Sequence, residues 1–404
     1  MTATVVDSRA RLIVAGPDLA EHVRRHGPVP WQGGRHRLIP LVEAAGLTGH
    51  GGAGFPTHRK LAAVAAGDRP VVVGNGAEGE PASAKDRTLL HHAPHLVLDG
   101  LQLAAECVGA SRAYLYVQQA PAEAVRHALA QRRAARQDRI AVEVVVAADR
   151  IVSGEESAVV SAVEGRAPLP RDKFRMVVKS GVRGRPTLVQ NVETLAHLAL
   201  IARHGPTWFG SRGTAEEPGT FLATVNGAVG APGVYELPYG VPVEEALARA
   251  GGTPVPLQAL LVGGFHGAWL PPEAFGAPLS RAGLRPWGAV PGAGVLVALP
   301  LGRCGLIESA RIAGYLAGET AGQCGPCVNG LPRLATTLHR LAHGPLHPAL
   351  PAEVARLSAL VERRGACNHP DGTVRFIRSS MQIFAAEVTA HLAGRCSQHG
   401  RGTR

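Results

Sequence analysis

Residues 70–75, PVVVGN, form a short run of β-branched residues that ends in a turn. Such a run predicts a strand. Helix-like and strand-like segments alternate after it: residues 96–110 have helical apolar spacing, 113–117 are strand-like, 121–137 form an amphipathic helix, and 140–147 are strand-like again. Strands that alternate with helices are typical of an α/β layer with a parallel sheet.

The pattern changes further along the chain. From about residue 219 to 300 it is rich in Gly, Pro and Val around a helical run at 243–252, which predicts a small β-grasp-like module with a single helix. From about residue 302 onward, helical runs predict a bundle with cysteines in its connections. These runs cover residues 306–320, 330–343, 351–364 and 381–394.

Length and composition predict an ordered protein of several domains. The 404 residues are enough for two to four domains, with 46% hydrophobic and 18% charged residues. We find no run of about 18 or more apolar residues, so we expect no transmembrane helix. The first 19 residues mix acids and bases and do not resemble a signal peptide. We therefore expect a cytoplasmic protein, either free or peripheral to a membrane complex.

The net charge of +11 raises the question of nucleic-acid binding. The basic residues are mostly scattered arginines, and aromatic residues make up only 4% of the chain, which leaves few platforms for base stacking. We therefore expect no nucleic-acid partner. A small acidic redox protein such as a ferredoxin fits the charge better, because opposite fields speed association.

The chain has six cysteines. Because cytosolic proteins rarely keep disulfides, the spaced pair Cys324 and Cys327 predicts a metal or redox site. Cys107 lies in an apolar run and is expected to be a small buried hydrophobe.

A glycine-rich loop, GHGGAG at residues 49–54, satisfies the pattern GxGxxG. Bare backbone of this kind lets a phosphate reach main-chain N–H groups, although a flexible loop is the alternative interpretation. No good strand immediately precedes it, so it is not an ordinary dinucleotide-binding loop. Lys60 follows within one or two helical turns, where an ammonium could reach a phosphate.

Three further stretches accompany the loop. Residues 71–87 are a strand that opens into a turn, and residues 150–165 begin a helix that Ser153 is predicted to cap. The acids at that helix start could instead only complement its dipole. Residues 185–200 open another helix behind Asn191.

Six stretches in this order resemble the FMN- and NADH-binding flavoprotein subunit of respiratory complex I, and related flavin subunits of NAD-reducing hydrogenases and formate dehydrogenases. They are GLTGHGGAGFPTHRKL, NGAEGEPASAKDR, SGEESAVVSAVEG, PTLVQNVETLAHL, VNGAVGAPGVYELPYG and ETAGQCGPCVNG. The resemblance runs from about residue 40 to 380. It implies an N-terminal arm (1–35), a Rossmann-like flavin domain (36–215), a β-grasp module of the SLBB type (216–300), a helical iron–sulfur domain (301–397) and a tail (398–404).

The resemblance also implies roles for single residues. Glu80 and Glu156 match acids that face the nicotinamide and ribose, although surface acids with no role are the alternative. The aspartate of the family's turn along the flavin is replaced here by Ala77. The residues assigned to cofactor binding are Gly49, Gly51, Gly52, Gly54, Phe55, Lys60, Asn75, Glu78, Gly154, Glu155, Gln190, Asn191 and Thr194.

The chain departs from the family where the adenine of NADH stacks between rings. Phe55 remains, but Ala63 and Met176 occupy the other aromatic positions, with Phe174 two residues away. Loss of a stacking partner costs on the order of 1 kcal/mol. We therefore expect weak NADH binding or another donor.

The cluster motif departs too, because its first cysteine is replaced by Ala321. Cys324, Cys327 and Cys367 could hold a [4Fe–4S] cluster with an outside ligand, a [3Fe–4S] cluster, a lone redox or zinc site, or no metal. The possible fourth ligands are His369, Glu319, Cys304 and Cys396.

The motifs and their departures from the family pattern support two alternative functions. The first is a flavin-dependent oxidoreductase that takes electrons from NAD(P)H through FMN and passes them by an iron–sulfur cluster to a ferredoxin-like or quinone-linked partner. The second is a divergent paralogue that has lost NADH oxidation and serves as a flavin-bearing or scaffold subunit. A simple dithiol-exchange protein is disfavoured, because no thioredoxin-like βαβ pattern surrounds Cys324.

Overall fold

The structure, a computed structural model, describes residues 3–4, 10–14, 16–172 and 174–396. The predicted tail lies outside the described residues, and so does part of the predicted N-terminal arm. The chain divides into two compact units, one of Met1–Thr224 with Gly233–Val241 and one of Val225–Pro232 with Pro242–Arg404. The finer division into five segments stays a prediction.

The first unit contains the α/β layer. Its helices are α1 (Leu19–His26), α2 (Leu38–Ala44), α3 (Thr57–Ala65), α4 (Lys85–His92), α5 (Pro94–Val108), α6 (Gln119–Ala134), α7 (Glu156–Val163) and α8 (Val192–Gly210). Its strands are β1 (Ala3–Thr4), β2 (Val71–Gly76), β3 (Arg112–Val117), β4 (Val142–Val146) and β5 (Thr187–Asn191); β6 (Thr220–Gly227) crosses the boundary between the units, and β7 (Gly233–Pro238) returns to the first.

Four strands form the predicted parallel sheet, in the order β4-β3-β2-β5. Alternate residues of these strands enter two different cores: Val72 and Leu115 pack with α5 and α8, whereas Val73 and Tyr114 pack with α7. Both faces of the sheet are therefore covered, as parallel sheets require. The predicted strands and the two helices between them are confirmed.

The strand order reverses at β2, and open α/β sheets have a crevice outside the carboxyl ends of the strands at such a point. From β2 the chain runs outward to β3 and β4, and then β5 lies on the opposite side of β2. Asn75 and Asn191 are paired in register at the carboxyl ends of β2 and β5. Ligands of open α/β sheets bind where the strand order reverses in this way.

The second unit combines a small antiparallel sheet with helices. Strand β8 (Leu257–Val262) pairs with β9 (Ala268–Leu270) and β10 (Val295–Pro300). The β-grasp region was expected to hold one helix, but a four-residue helix follows that one. The helices are α9 (Val243–Arg249), α10 (Arg281–Leu284), α11 (Gly305–Gly318), α12 (Leu331–His343), α13 (Leu350–Val361), α14 (His369–Ile383) and α15 (Ala385–Leu392).

The prediction of one helix over residues 381–394 is wrong. Helix α14 ends at Ile383, and α15 begins at Ala385. Phe384 between them packs its ring edge-on to Trp269 and so close to Gly305 that a Cβ there would clash with it. Packing of this ring therefore overrides the continuous helical pattern. No helix of the described residues is both long and apolar enough to span a membrane.

Candidate functional site

The glycine-rich loop is a tight turn between α2 and α3. Its ends are joined, because the N–H of Gly49 donates to the carbonyl of Phe55 at 2.9 Å. Gly52 and Gly54 have φ angles of +97° and +63°, which side chains strongly disfavour. No strand lies between residues 16 and 48, as the sequence predicted.

The loop lies against the carboxyl end of β5. The N–H of His50 donates to Thr194 Oγ1 at 2.9 Å, and a Cβ on Gly51 would stand 3.7 Å from the Cβ of Asn191. The loop therefore borders the crevice between β2 and β5, next to the N-terminus of α8.

Lys60 connects the loop to two other predicted stretches. It lies on α3, and its Nζ is 2.8 Å from the carbonyl oxygen of Val189 and 2.7 Å from Glu156 Oε1. An ammonium has three N–H donors. The hydrogen bond to Val189 and the ion pair with Glu156 leave a donor available for a ligand at the crevice.

The turn after β2 packs against the turn at residues 154–156. Asn75 donates through Nδ2 to the carbonyl of Gly154 at 3.0 Å and accepts from the N–H of Ala77 at 3.1 Å. A Cβ on Gly79 would clash with the carbonyl oxygen of Arg150. Glycine at residue 79 is thus needed for the close approach of the two turns.

Two predicted acids shape this turn. Glu78 Oε1 accepts from Ser83 Oγ at 2.5 Å and from the N–H of Asp86 at 3.0 Å, so it orders the start of α4. Glu80 Oε1 accepts from the N–H of Ala82 at 3.2 Å, and its side chain is partly exposed. Glu78 is therefore committed to the fold of the turn.

Glu155, and not Ser153, caps α7. The carboxylate of Glu155 accepts from the N–H groups of Ser157 and Ala158 at 2.9 and 3.0 Å. Ser153 lies one turn earlier, in a 3₁₀ segment, where its hydroxyl donates to the carbonyls of Ala148 and Arg150. The predicted Ser153 cap is wrong because the chain becomes extended only at Glu155, which places that side chain over the helix end.

A buried charged network beside the crevice was missed by the sequence analysis. Lys85 Nζ lies 2.7 Å from Asp86 and 2.8 Å from Glu193, and Asn191 Nδ2 donates to Asp86 at 2.7 Å. Burial raises the pKa of Asp86 to about 6, although the charge of Lys85 opposes the shift. The neighbouring letters Lys-Asp look like ordinary surface charges, so nothing local signals their burial. Helix α8 begins behind Asn191, as predicted, and Asn191 caps it by accepting from the N–H of Glu193.

Gln190, near the carboxyl end of β5, has an unused donor. Its Nε2 is buried and has no hydrogen-bond partner among the described residues. Such an atom is costly unless a ligand or water accepts its hydrogen bond. Together with the bare loop and the remaining donor of Lys60, it fits a ligand rich in acceptor oxygens, such as FMN.

The residues at the predicted adenine-stacking positions are largely exposed to solvent. Phe55 is half exposed, and Ala63 is exposed on α3. The side chains of Phe174 and Met176 are 97% and 62% exposed. Met176 has no ring, and the ring of Phe174 is not packed against neighbouring residues before NADH binds.

The three predicted cluster ligands lie in two connections of the second unit. Cys324 precedes a short π-helical turn (Pro326–Gly330) that contains the buried Cys327, and the buried Cys367 lies just before α14. Partial burial alone would raise the pKa of Cys324, but the nearby amide of Ala366 helps to lower it. Because Ala366 directly precedes Cys367, this contact places the loop of Cys367 next to Cys324. The amide of Ala321 in turn lies near the sulfur of Cys327.

The possible fourth ligands are not equivalent. His369 has both ring nitrogens engaged, Nε2 with the carbonyl of Leu316 at 2.8 Å and Nδ1 with His266 at 3.0 Å. Cys304 and Cys396 lie in a different cluster, described below. Glu319 is the C-cap of α11.

Three family profiles match the chain. They are described as the Nuo51 FMN-binding domain over residues 42–200, the SLBB domain over residues 222–264, and the NADH-ubiquinone oxidoreductase-F iron-sulfur binding region over residues 308–391. A curated relative, the NADH-quinone oxidoreductase F subunit 2 of Rhizobium meliloti, is 30% identical over 90% of each chain. This chain belongs to the family of NADH-quinone oxidoreductase F subunits. The F subunit of Streptomyces coelicolor is likewise 30% identical, over 89% of this chain and 83% of its own.

Membership of the F-subunit family confirms the predicted family, fold class and enzyme class. The chain is an FMN-binding, NADH-oxidising type of subunit with an iron–sulfur binding region. Its curated relatives, including a subunit of the NADP-reducing hydrogenase of Solidesulfovibrio fructosivorans at 28% identity over 90% of this chain and 77% of its own, are named as subunits of larger enzymes.

Solved structures carry the same fold. In the H2-reduced state of an NAD+-reducing [NiFe]-hydrogenase, one chain superposes with a TM-score of 0.83 at 29% identity and 90% coverage of this chain. The match spans 65% of that hydrogenase chain. The air-oxidised state gives a TM-score of 0.82 at 30% identity, with 96% of this chain and 70% of the other covered.

Proposed function

We propose that FMN binds in the crevice between the carboxyl ends of β2 and β5, with its phosphate on the glycine-rich loop and Lys60. Three features support this placement: the position of the loop where the strand order reverses, the remaining N–H donor of Lys60, and the buried Nε2 of Gln190, which has no partner in the part of the chain that the structure describes. Bound there, FMN supplies the chemistry that accepts a hydride and releases single electrons.

The protein residues around the crevice hold and orient the ligands. Asn75 and Glu155 are occupied by the backbone hydrogen bonds that shape the two turns, so their proposed role is to position the loops along the flavin. Glu156 is held by Lys60 at 2.7 Å. Glu80 and Glu156 are the acids we propose to face the nicotinamide and ribose.

Electrons leave, in this proposal, through an iron–sulfur cluster held by Cys324, Cys327 and Cys367. The acceptor is a separate acidic redox protein of the ferredoxin-like type, drawn by the net charge of +11. We also propose a cytoplasmic location, since all six cysteines are free thiols. Fractionation of cells followed by immunodetection tests the location.

The experiment is reconstitution of the purified protein with FMN, followed by titration with NADH under anaerobic conditions. Lys60→Ala removes a charge-assisted hydrogen bond worth roughly 1.5–3 kcal/mol, so FMN should bind about ten- to a hundredfold more weakly. Gly51→Val should also lower FMN occupancy, because the added side chain enters the crevice beside Asn191. Lys179→Ala, at an exposed lysine, is the matched control and should change nothing.

The results separate the proposal from the scaffold alternative. Bound FMN that NADH bleaches supports the oxidoreductase. Bound FMN that no nicotinamide reduces supports the flavin-bearing scaffold role. Failure of the wild-type protein to retain FMN would refute both the binding site and the reaction.

A further inference from the structure

A second group of potential metal ligands lies in the second unit, apart from Cys324, Cys327 and Cys367. Its members are Cys304, Glu387, His391 and Cys396, and one ligand atom from each lies within 4.8 Å of all the others. Cys304 Sγ is 3.4 Å from His391 Nε2 and 3.8 Å from Glu387 Oε2. His391 Nε2 is 3.9 Å from the same carboxylate oxygen.

These separations match the edges of a tetrahedral zinc site. With zinc bonds of about 2.3 Å to sulfur and about 2.0 Å to nitrogen or oxygen, the expected edges are about 3.5 Å for S···N and S···O and about 3.3 Å for N···O. The three edges among Cys304, His391 and Glu387 differ from these by about 0.6 Å or less. Small side-chain rotations would therefore bring the donors onto one ion.

Three different parts of the unit supply the donors. Cys304 is the N-cap of α11, and Cys396 follows the end of α15. Glu387 and His391 are one turn apart on α15, so both project from the same face of that helix. An ion here would connect the start of α11 with both the last helix and the segment after it.

Burial favours a bound cation at this place. Cys304, Glu387 and His391 are only 3%, 4% and 7% exposed. A carboxylate at that depth costs free energy unless hydrogen bonds or a cation compensate its charge. Cys396 is partly exposed, which gives an ion a path from solvent.

A neighbouring amide already orients the carboxylate. Gln258 Nε2, on β8, lies 3.5 Å from Glu387 Oε1, while Oε2 faces the thiol of Cys304 and the ring of His391. Outer hydrogen bonds that aim a ligand in this way are typical of metal centres.

We propose that Cys304, Glu387, His391 and Cys396 bind one structural Zn²⁺. Two thiolates and an imidazole select zinc over magnesium or calcium, and four protein ligands leave no open position for catalysis. Each cysteine releases its proton to solvent when the ion binds. This site is independent of the iron–sulfur ligands and of the flavin.

The first test is the zinc and iron content of the full-length protein, measured by mass spectrometry after incubation with one equivalent of zinc. Wild type should hold about one zinc per chain, and Cys304→Ser and His391→Ala should each hold at least about tenfold less after competition with a chelator. Gln258→Ala should weaken zinc binding about tenfold, because only the orientation of Glu387 is lost.

Two control variants make the assignment specific. Cys107→Ser removes a buried thiol of the first unit and should leave zinc unchanged. Cys327→Ser should lower iron and leave zinc unchanged. Loss of zinc on Cys327→Ser, with no loss on Cys304→Ser, would place the ion at the other cysteines and overturn the proposal.

X-ray absorption at the zinc edge of the wild-type protein tests the site even if the variants fail to fold. The expected first shell has two sulfurs at about 2.3 Å and two nitrogen or oxygen atoms at about 2.0 Å. A shell of three or four sulfurs contradicts the proposal. A disulfide between Cys304 and Cys396, found by mass spectrometry after alkylation, or wild-type protein that takes up no zinc, also contradicts it.

Discussion

Ala321 occupies the position where the family's first cluster cysteine would stand. Its backbone amide lies near the sulfur of Cys327, so residue 321 is already next to the predicted cluster. A cluster held by three thiolates would have one iron with an open or weaker ligand. Such an iron is easily lost, which makes the cluster sensitive to oxygen.

We predict that Ala321→Cys makes the cluster more resistant to oxygen, because a fourth thiolate then holds the exposed iron. Electron paramagnetic resonance of anaerobic protein exposed briefly to air should show a three-iron signal in the wild type and much less in the variant. Cys327→Ser is the matched control and should abolish the cluster. Iron below about one per chain in the anaerobic wild type would show that the three cysteines do not hold a cluster.

The side chain at residue 176 should influence the affinity for NADH. At 62% exposure it offers no ring against which an adenine could stack, and Phe174 is almost fully exposed. We predict weak reduction by NADH and a gain of about 1 kcal/mol in apparent affinity for Met176→Phe. Stopped-flow bleaching of the flavin measures the rate of reduction and the apparent affinity for NADH, with Met176→Leu as the apolar control. Micromolar affinity in the wild type that Met176→Phe leaves unchanged would contradict this account.

At the level of helices, Asp99 holds four elements together. This buried carboxylate on α5 contacts Arg132 of α6 at 2.7 Å, His22 of α1 at 2.9 Å and Arg203 of α8. Burial alone would raise its pKa, but the hydrogen bond from His22 and the charges of both arginines hold the pKa of Asp99 well below its usual range. Its stabilising contribution is therefore complete at neutral pH and is lost only in strong acid.

We predict that Asp99→Asn lowers the free energy of unfolding by about 3–5 kcal/mol, because fully buried Arg132 loses its main counter-charge. Urea denaturation followed by circular dichroism measures the change. Glu106→Gln on the same helix is the control, since its partner Arg139 is exposed and the pair is worth about 1 kcal/mol or less. Equal effects of the two variants would show that burial of the Asp99 network is unimportant.

His95 of the same helix makes stability depend on pH. Burial, assisted by the charge of Arg132, lowers the pKa of His95 to about 4. Above about pH 6.5 both folded and unfolded states are neutral; below it only the unfolded state gains the proton. Stability contributed by this residue is therefore lost as the pH falls from about 6.5 toward 4, by up to about 1.4 kcal/mol per pH unit.

We predict that His95→Gln reduces the loss of stability between pH 7 and pH 5 by about 2 kcal/mol. The glutamine amide can still donate to Gln131, which His95 Nε2 contacts at 3.0 Å. Denaturation midpoints at the two pH values give the difference. Parallel pH profiles for wild type and His95→Gln would refute the assignment.

For the whole molecule, the dominant electrostatic feature is the net charge of +11. A field of this sign accelerates encounters with acidic partners and is screened by salt. We predict that electron transfer to an acidic ferredoxin slows at least about tenfold between 10 mM and 500 mM salt. Reduction of a small neutral quinone, the control acceptor, should barely change. A ferredoxin rate independent of salt would exclude electrostatic recruitment of the partner.

Local sequence was sufficient for the parallel sheet, the glycine-rich loop and the helix that begins behind Asn191. Apolar periodicity, β-branched runs and glycine's freedom at positive φ act between near neighbours, so their consequences can be predicted from short stretches. The resemblance also implied that these stretches share one flavin site, and the structure brings the glycine-rich loop, the turn after β2 and the start of α8 close together. Their individual roles toward FMN and NADH stay predictions.

Only the tertiary structure decided the features that depend on distant contacts. It buried Lys85 with Glu193, 108 residues apart, and ended α14 at Ile383 because the ring of Phe384 packs on Gly305 and Trp269. It also gathered Cys304 and His391, 87 positions apart, into one cluster. No local pattern marks these partners, because the free energy of burying a charge, a ring or a thiol depends on what the rest of the fold places beside it.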